Sequence, residues 1–160
     1  MLNLNMRGIS KMSVTRGVYF NAAMDQQEAL IRAYMRLQPE WANRDVIPRN
    51  RVVSFALALW AEQPQIDIDA VQDWYRVVDN RDRDEKMTGA VHKHALYISV
   101  QMYDAVQVIG QRIADTGIKI KALISTSQAG AYNLRLISAL AMERLTRIIQ
   151  AEHPDLQPEA

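Results

Sequence analysis

The chain has 160 residues, of which 49% are hydrophobic and 23% are charged, and its formal net charge is +1. This composition is typical of one globular domain and excludes a disordered or collagen-like chain. The sequence has no cysteine and no apolar run of about 18 residues, so we expect no disulfide, no thiol catalysis and no membrane span. We expect a cytoplasmic protein that makes no membrane contact.

The small net charge hides a segmental pattern. Residues 1–61 carry +4, residues 62–85 carry −5, residues 86–151 carry +5 and residues 152–160 carry −3. Two basic blocks around an acidic connector favour a surface that binds a polyanion. Charges scattered over a solvated surface are the alternative explanation, and the totals alone do not separate the two.

The first basic block predicts one strand and two helices. Apolar residues alternate over 18–24, which favours a β-strand, and a helical pattern then runs from Asp25 to the residue before Pro39. A second, strongly apolar helix is predicted between Pro48 and Pro64. The block therefore has the order strand, helix, loop, helix.

The connector and the second block continue this order. Within 63–93 we predict one short amphipathic helix, followed by a mobile charged loop at 80–86. Alternation over 97–102 predicts a second strand, and helical spacing then continues to a stop at Gly117. A last helix is predicted to end before Pro154, leaving a frayed acidic tail.

An internal repeat is the most informative feature of the sequence. Residues 20–24 match 98–102 at an offset of 78, and residues 51–54 match 135–138 at an offset of 84. A single strand followed by helices cannot satisfy its own backbone groups, so we expect the two strands to pair. The predicted fold class is mainly α with one two-stranded antiparallel β-ribbon above four helices, related by a pseudo-twofold axis.

This arrangement resembles the ribbon-helix-helix family. Residues 98–106 are similar to the family's strand and the start of its first helix, and residues 49–57 and 133–140 are similar to its second helix. The resemblance implies a tandem, single-chain protein that inserts its paired strands into the major groove of DNA. Its units would span 13–62 and 94–150 around one shared core, joined by the connector 63–93.

The resemblance also implies a biological role. Tandem proteins of this kind act as accessory factors in conjugative plasmid transfer and T-DNA transfer, and a transcriptional repressor is the other expected role. The chain would be a monomer that acts as a pseudo-dimer and binds DNA cooperatively. Its expected partners are double-stranded DNA and other DNA-processing proteins, and it would have no catalytic activity of its own.

The outward strand positions supply the candidate base contacts. Asparagine and glutamine can pair with adenine, and serine can contact several base edges. The predicted base contacts are Tyr19, Asn21, Ala23, Tyr97, Ser99 and Gln101.

Cations and helix starts supply the candidate phosphate contacts. These are Arg16, Arg49, Asn50, Arg51, Ser125, Thr126 and Ser127. Polar residues on a wet sheet face and ordinary helix caps are the alternative explanation.

Two other classes of protein fit parts of the sequence. An all-helical module that binds protein helices predicts no strand at 97–102 and no DNA binding. An antitoxin of the same family would need a longer C-terminal tail to wrap its toxin. His92 and His94 lack a third ligand at useful spacing, and no nucleophile motif or phosphate-binding glycine loop is present. We therefore predict no metal, no cofactor and no enzyme activity.

Overall fold

The computed structural model describes residues 14–20, 22–88, 92–125 and 130–159. Two strands and six helices occur in these ranges. In chain order they are β1 (Val14–Phe20), α1 (Ala22–Met35), α2 (Pro39–Ala42), α3 (Arg49–Glu62), α4 (Ile68–Thr88), β2 (His92–Ile98), α5 (Val100–Asp115) and α6 (Leu134–Glu152). None of the helices in these ranges combines the length and apolar character that a bilayer span requires.

The strands β1 and β2 pair antiparallel with each other. The register runs from Val14 opposite Ile98 to Phe20 opposite His92. Leu96 in β2 is 1% exposed and belongs to the core, whereas its neighbour Tyr97 is 64% exposed. Since successive residues of a strand point to opposite faces, β2 at 95–97 has one face on the core and the other open to solvent.

The helices of the two halves pack across each other. The first helix, α1, packs on α6, and α3 lies against both α5 and α6. One continuous apolar cluster results, with Trp60, Leu57, Ile109 and Leu140 among its fully buried side chains. The halves therefore share a single core, and each supplies apolar surface that the other needs.

Local signals in the sequence fix the starts of α5 and α6. The Ser99 side chain accepts a hydrogen bond from the Met102 backbone N–H at 3.2 Å, and the Asn133 side chain accepts one from the Leu136 N–H at 3.2 Å. Both residues are the N-caps that satisfy donors left open at a helix start. After α5 the chain turns at Gly117, whose φ of +80° is easily reached by glycine.

The longest helix, α4, is attached to the core by a few apolar residues and by ion pairs. Val71, Trp74 and Val78 are buried, and the Trp74 ring meets Trp60 edge-on at 5.9 Å. Arg81 pairs with Glu143 at 2.5 Å, and Asp82 pairs with Arg135. Most of the remaining surface of α4 is polar or charged, and Ile68 and Met87 are its exposed apolar residues, which suits a helix with one buried stripe.

The predicted fold class, a pseudo-twofold tandem ribbon-helix-helix protein, is wrong. Helices dominate the described residues, and the longest of them, α4, has no counterpart in the described part of the second half. The loops between the main helices also differ, since the first contains α2 and the second contains a β-bridge between Ile124 and Tyr132. Two equivalent units are therefore not shown.

The predicted strand segments are also misplaced. Residues 22–24 belong to α1 and residues 100–102 belong to α5, so the paired strands lie nearer the N-terminus in each half. Apolar alternation continued into the first helical turn, where Met24 and Met102 are buried as helix residues. Of the predicted outward positions, 19 and 97 lie in the observed strands, whereas 23 and 101 lie in helices.

Two predicted flexible segments are ordered elements. Residues 80–86, expected to be a mobile loop, form part of α4. Residues 153–159, expected to fray, pack along α1: the Glu159 backbone N–H donates to the Ala29 carbonyl at 3.0 Å. The Glu159 carboxylate also accepts from the Arg36 guanidinium at 3.1 and 3.2 Å.

Candidate nucleic-acid interface

The solvent face of the sheet is the candidate interface. Ala95 and Tyr97 in β2 are exposed, and the residue between them, Leu96, is buried. Directly opposed residues of an antiparallel pair share a face, so positions 15 and 17, which oppose Tyr97 and Ala95, belong to the same side. Position 19, which opposes position 93, continues that face.

The residue types at these six positions form a simple pattern. The two ends of the face carry tyrosine, threonine and lysine, and its centre carries the small pair Gly17 and Ala95. Small residues at the centre allow the backbone to approach a ligand closely. We call positions 15, 17, 19, 93, 95 and 97 the sheet face.

Two of the predicted base contacts belong to the sheet face. Tyr97 is exposed in β2, and Tyr19 lies in β1 opposite Lys93. Gln101 is exposed, but it lies in the first turn of α5. Ser99 caps α5 and lies between strand and helix. The prediction that Ser99 and Gln101 lie in a strand is therefore wrong.

The other predicted base contacts are not on the sheet. Ala23 is half-buried in the first turn of α1, so its predicted strand position is wrong. Asn21 lies outside the described residues. The error has one physical source, because the chain turns from strand to helix sooner than the alternating pattern suggests.

The predicted phosphate contacts at the start of α3 are spread over different environments. Arg49 is held by acidic side chains of α1, with Glu28 at 2.7 Å and Asp25 at 3.5 Å. Asn50 is half-buried and Arg51 is exposed in the same first turn. The backbone N–H of Arg51 donates to the Pro48 carbonyl at 2.9 Å, which occupies one of the donors that a phosphate would use.

The remaining predicted phosphate contacts do not assemble at one helix start. Ser125 lies well before α6, and its backbone N–H donates to the Ala131 carbonyl at 2.7 Å. Asn133 caps α6 instead, so the prediction that the serine-threonine run begins this helix is wrong. Thr126 and Ser127 lie outside the described residues, and Arg16 lies in β1 opposite Leu96.

Sequence reasoning missed four positions of the sheet face and one cation beside α4. The missed face positions are Thr15, Gly17, Lys93 and Ala95. The missed cation is Arg135, in the first turn of α6, which is paired with Asp82. The capping preference of Ser99 could have ended the second strand at Ile98 and revealed Lys93 and Ala95. No local signal pairs residues 82 and 135, which are far apart in the chain.

Comparisons with family models, curated proteins and solved structures found no match. Within the described ranges, no three histidine, aspartate or glutamate residues group as metal ligands. Any function must therefore be argued from the site itself.

Proposed function

We propose that the protein binds duplex DNA through the sheet face. The observation that carries this proposal is the two-stranded antiparallel sheet with one face on the core and the other open, marked by Leu96 at 1% and Tyr97 at 64% exposure. The major groove is wide enough to admit a two-stranded ribbon of this kind. The exposed side of β2 at Ala95 and Tyr97 would be available to such a ligand.

The chemistry of the sheet face supports DNA as the ligand. Tyrosine and threonine hydroxyls bond phosphates and base edges, and the Lys93 ammonium adds attraction to the backbone. Gly17 and Ala95 at the centre leave room for close approach.

The proposed role is that of a DNA-binding protein without catalysis. An accessory DNA-transfer factor and a transcriptional repressor both need such binding, and both remain proposals. The competing proposal, a module that binds protein helices, requires no DNA affinity. A single measurement of DNA affinity therefore distinguishes the DNA-binding protein from the protein-interaction module.

The test is the salt dependence of binding to a random-sequence duplex, measured by fluorescence anisotropy. We expect Lys93→Gln to weaken binding and to reduce the salt slope by about 1, as loss of one phosphate contact does. Tyr97→Ala should also weaken binding, by about fivefold or more, because it removes an aromatic side chain that is 64% exposed on the sheet face.

The matched control is Lys119→Gln, which removes one exposed positive charge in the turn after α5. This variant should leave the salt slope unchanged if contact is confined to the sheet face. Equal effects of the two lysine substitutions would contradict the assignment. Absence of salt-sensitive binding in the unsubstituted protein would reject DNA binding and leave the protein-interaction module.

A further inference from the structure

The centre of the sheet face carries the smallest residue of each strand. Gly17 of β1 lies opposite Ala95 of β2, and the neighbouring face positions on β2 are Lys93 and Tyr97. Ala95 is exposed, and Tyr97 beside it is 64% exposed. Since residues with larger side chains occupy both ends of the face, the Gly17–Ala95 pair is its lowest part. We call this pair the central recess.

The orientation of Ala95 is fixed by its neighbour in the strand. Leu96 is 1% exposed in the core, and β2 lies against α3. Because successive side chains of a strand point to opposite faces, burial of Leu96 directs the Ala95 methyl group to solvent. The central recess therefore presents one methyl group and no polar side-chain group.

This chemistry distinguishes the groups that base pairs show in the major groove. The C5-methyl of thymine is apolar, whereas the other groups are hydrogen-bond donors and acceptors. A donor or acceptor placed against the Ala95 methyl would lose water without gaining a partner. A thymine methyl in the same place gains apolar contact, and alanine is one of the residues that read it.

The spacing along β2 agrees with this placement. Lys93 and Tyr97 each lie two residues from Ala95, which is about 7 Å along an antiparallel strand. Successive base pairs are about 3.4 Å apart, so these two residues lie about two base-pair steps to either side of Ala95. Polar contacts at the ends of the face and an apolar contact at its centre can therefore form together.

We propose that the sheet face selects duplex DNA with a C5-methyl group at the central recess. Thymine supplies this group in an A·T pair, and 5-methylcytosine supplies the same group in a G·C pair. Ala95 determines the specificity by burying its methyl group against that of the base, and Gly17 leaves room for the approach. This inference rests on the proposed DNA binding and names the chemical group that the site reads.

The test measures the affinity of the full chain, by fluorescence anisotropy, for four duplexes that differ in pairs by the C5-methyl alone. The first pair is an alternating adenine–thymine duplex and its deoxyuridine counterpart. The second is an alternating guanine–cytosine duplex and its 5-methylcytosine counterpart. We expect the methylated member of each pair to bind about fourfold more tightly, the effect of burying one methyl-sized group.

Substitutions of Ala95 test whether this residue reads the methyl group. Ala95→Ser puts a hydroxyl at the contact and Ala95→Gly removes the methyl, so both should reduce the preference to below about twofold. Ala151→Ser is the matched control, because Ala151 is an exposed alanine in the last turn of α6. It should keep the preference of the unsubstituted protein. Circular dichroism checks that each variant is folded.

Three results would overturn this inference and leave the proposed DNA binding intact. The first is salt-sensitive binding with equal affinity within both pairs. The second is a preference that both Ala95 substitutions retain. The third is a preference confined to the adenine–thymine pair, because DNA shape rather than the methyl group would then be read. Absence of binding to all four duplexes would instead reject DNA binding itself.

Discussion

At the scale of single residues, Glu143 shows how a buried charge is tolerated. Burial alone raises the pKa of its carboxyl group, but the hydrogen bond from Arg147 and the charge of Arg81 outweigh that effect. The pKa of Glu143 is therefore lowered below its ordinary value of 4.5. A carboxylate with three donors is stabilised in its charged form despite the loss of water.

This lowered pKa predicts a pH dependence of stability. In the unfolded chain Glu143 binds a proton more readily, so its contribution to folding is present above about pH 4.5 and is lost as the pH falls through its folded pKa. Glu143→Gln should reduce the free energy of unfolding at neutral pH by about 1–2 kcal/mol, less than a fully buried pair, because both arginines are partly exposed.

Urea unfolding over a pH series checks this prediction. The stabilities of the two proteins should converge as the solution is acidified from about pH 4.5 through the lowered folded-state pKa of Glu143. Glu152→Gln is the control, because Glu152 is exposed at the end of α6. A difference between Glu143→Gln and wild type that stays constant with pH would contradict the assigned charge state.

At the scale of elements, strand ends were harder to predict than helix cores. The apolar spacing of Val52, Val53, Ala56 and Trp60 predicted α3, and all four are buried. Phe55 and Leu59, from the same pattern, are half-buried. At 97–102 the same kind of reasoning failed, because Val100 and Met102 continue the alternation of the strand within the first turn of α5. Over so few residues, the two-residue period of a strand and the 3.6-residue period of a helix place apolar residues at the same positions.

The helical structure of the charged run 80–86 was missed for a different reason. Local composition suggested a solvated loop, yet Arg81 and Asp82 pair with Glu143 and Arg135 of α6. Such pairs join residues that are distant in sequence, so no local pattern announces them. Within α4 itself, Arg83 and Asp79 form an ion pair at 2.7 Å. They are four residues apart, and pairs at this spacing stabilise a helix.

The N-cap of α5 gives a prediction about an element boundary. Ser99→Ala should lower the free energy of unfolding by about 1 kcal/mol, because the Met102 N–H loses its side-chain acceptor. The affinity of the folded protein for DNA should stay unchanged, since the Ser99 hydroxyl is already used inside the chain. Thermal unfolding and anisotropy on the same sample measure both quantities.

Ser99→Thr is the matched control, because threonine keeps the hydroxyl and is an accepted N-cap. It should be close to wild type in stability. If Ser99→Ala instead left stability unchanged and altered DNA affinity, Ser99 would be a base contact, as the sequence pattern suggested, and its role as a cap would be secondary.

At the scale of the whole molecule, the halves are interleaved. The strand β1 pairs with β2, α1 packs on α6, and α3 packs on α5 and α6. Trp60 of α3 is fully buried and lies 6.0 Å from the Arg144 guanidinium of α6. Because each half buries its apolar surface on the other, neither has a complete core.

This interleaving predicts one cooperative unfolding transition for the chain. Tryptophan fluorescence reports on the first half, which contains Trp41, Trp60 and Trp74, and circular dichroism reports on all helices. The two probes should give coincident urea curves. A fragment of residues 1–91 should lack a cooperative transition alone and regain one when mixed with residues 92–160. An isolated first fragment that unfolds with the cooperativity of the full chain would show that its core is complete without α5 and α6.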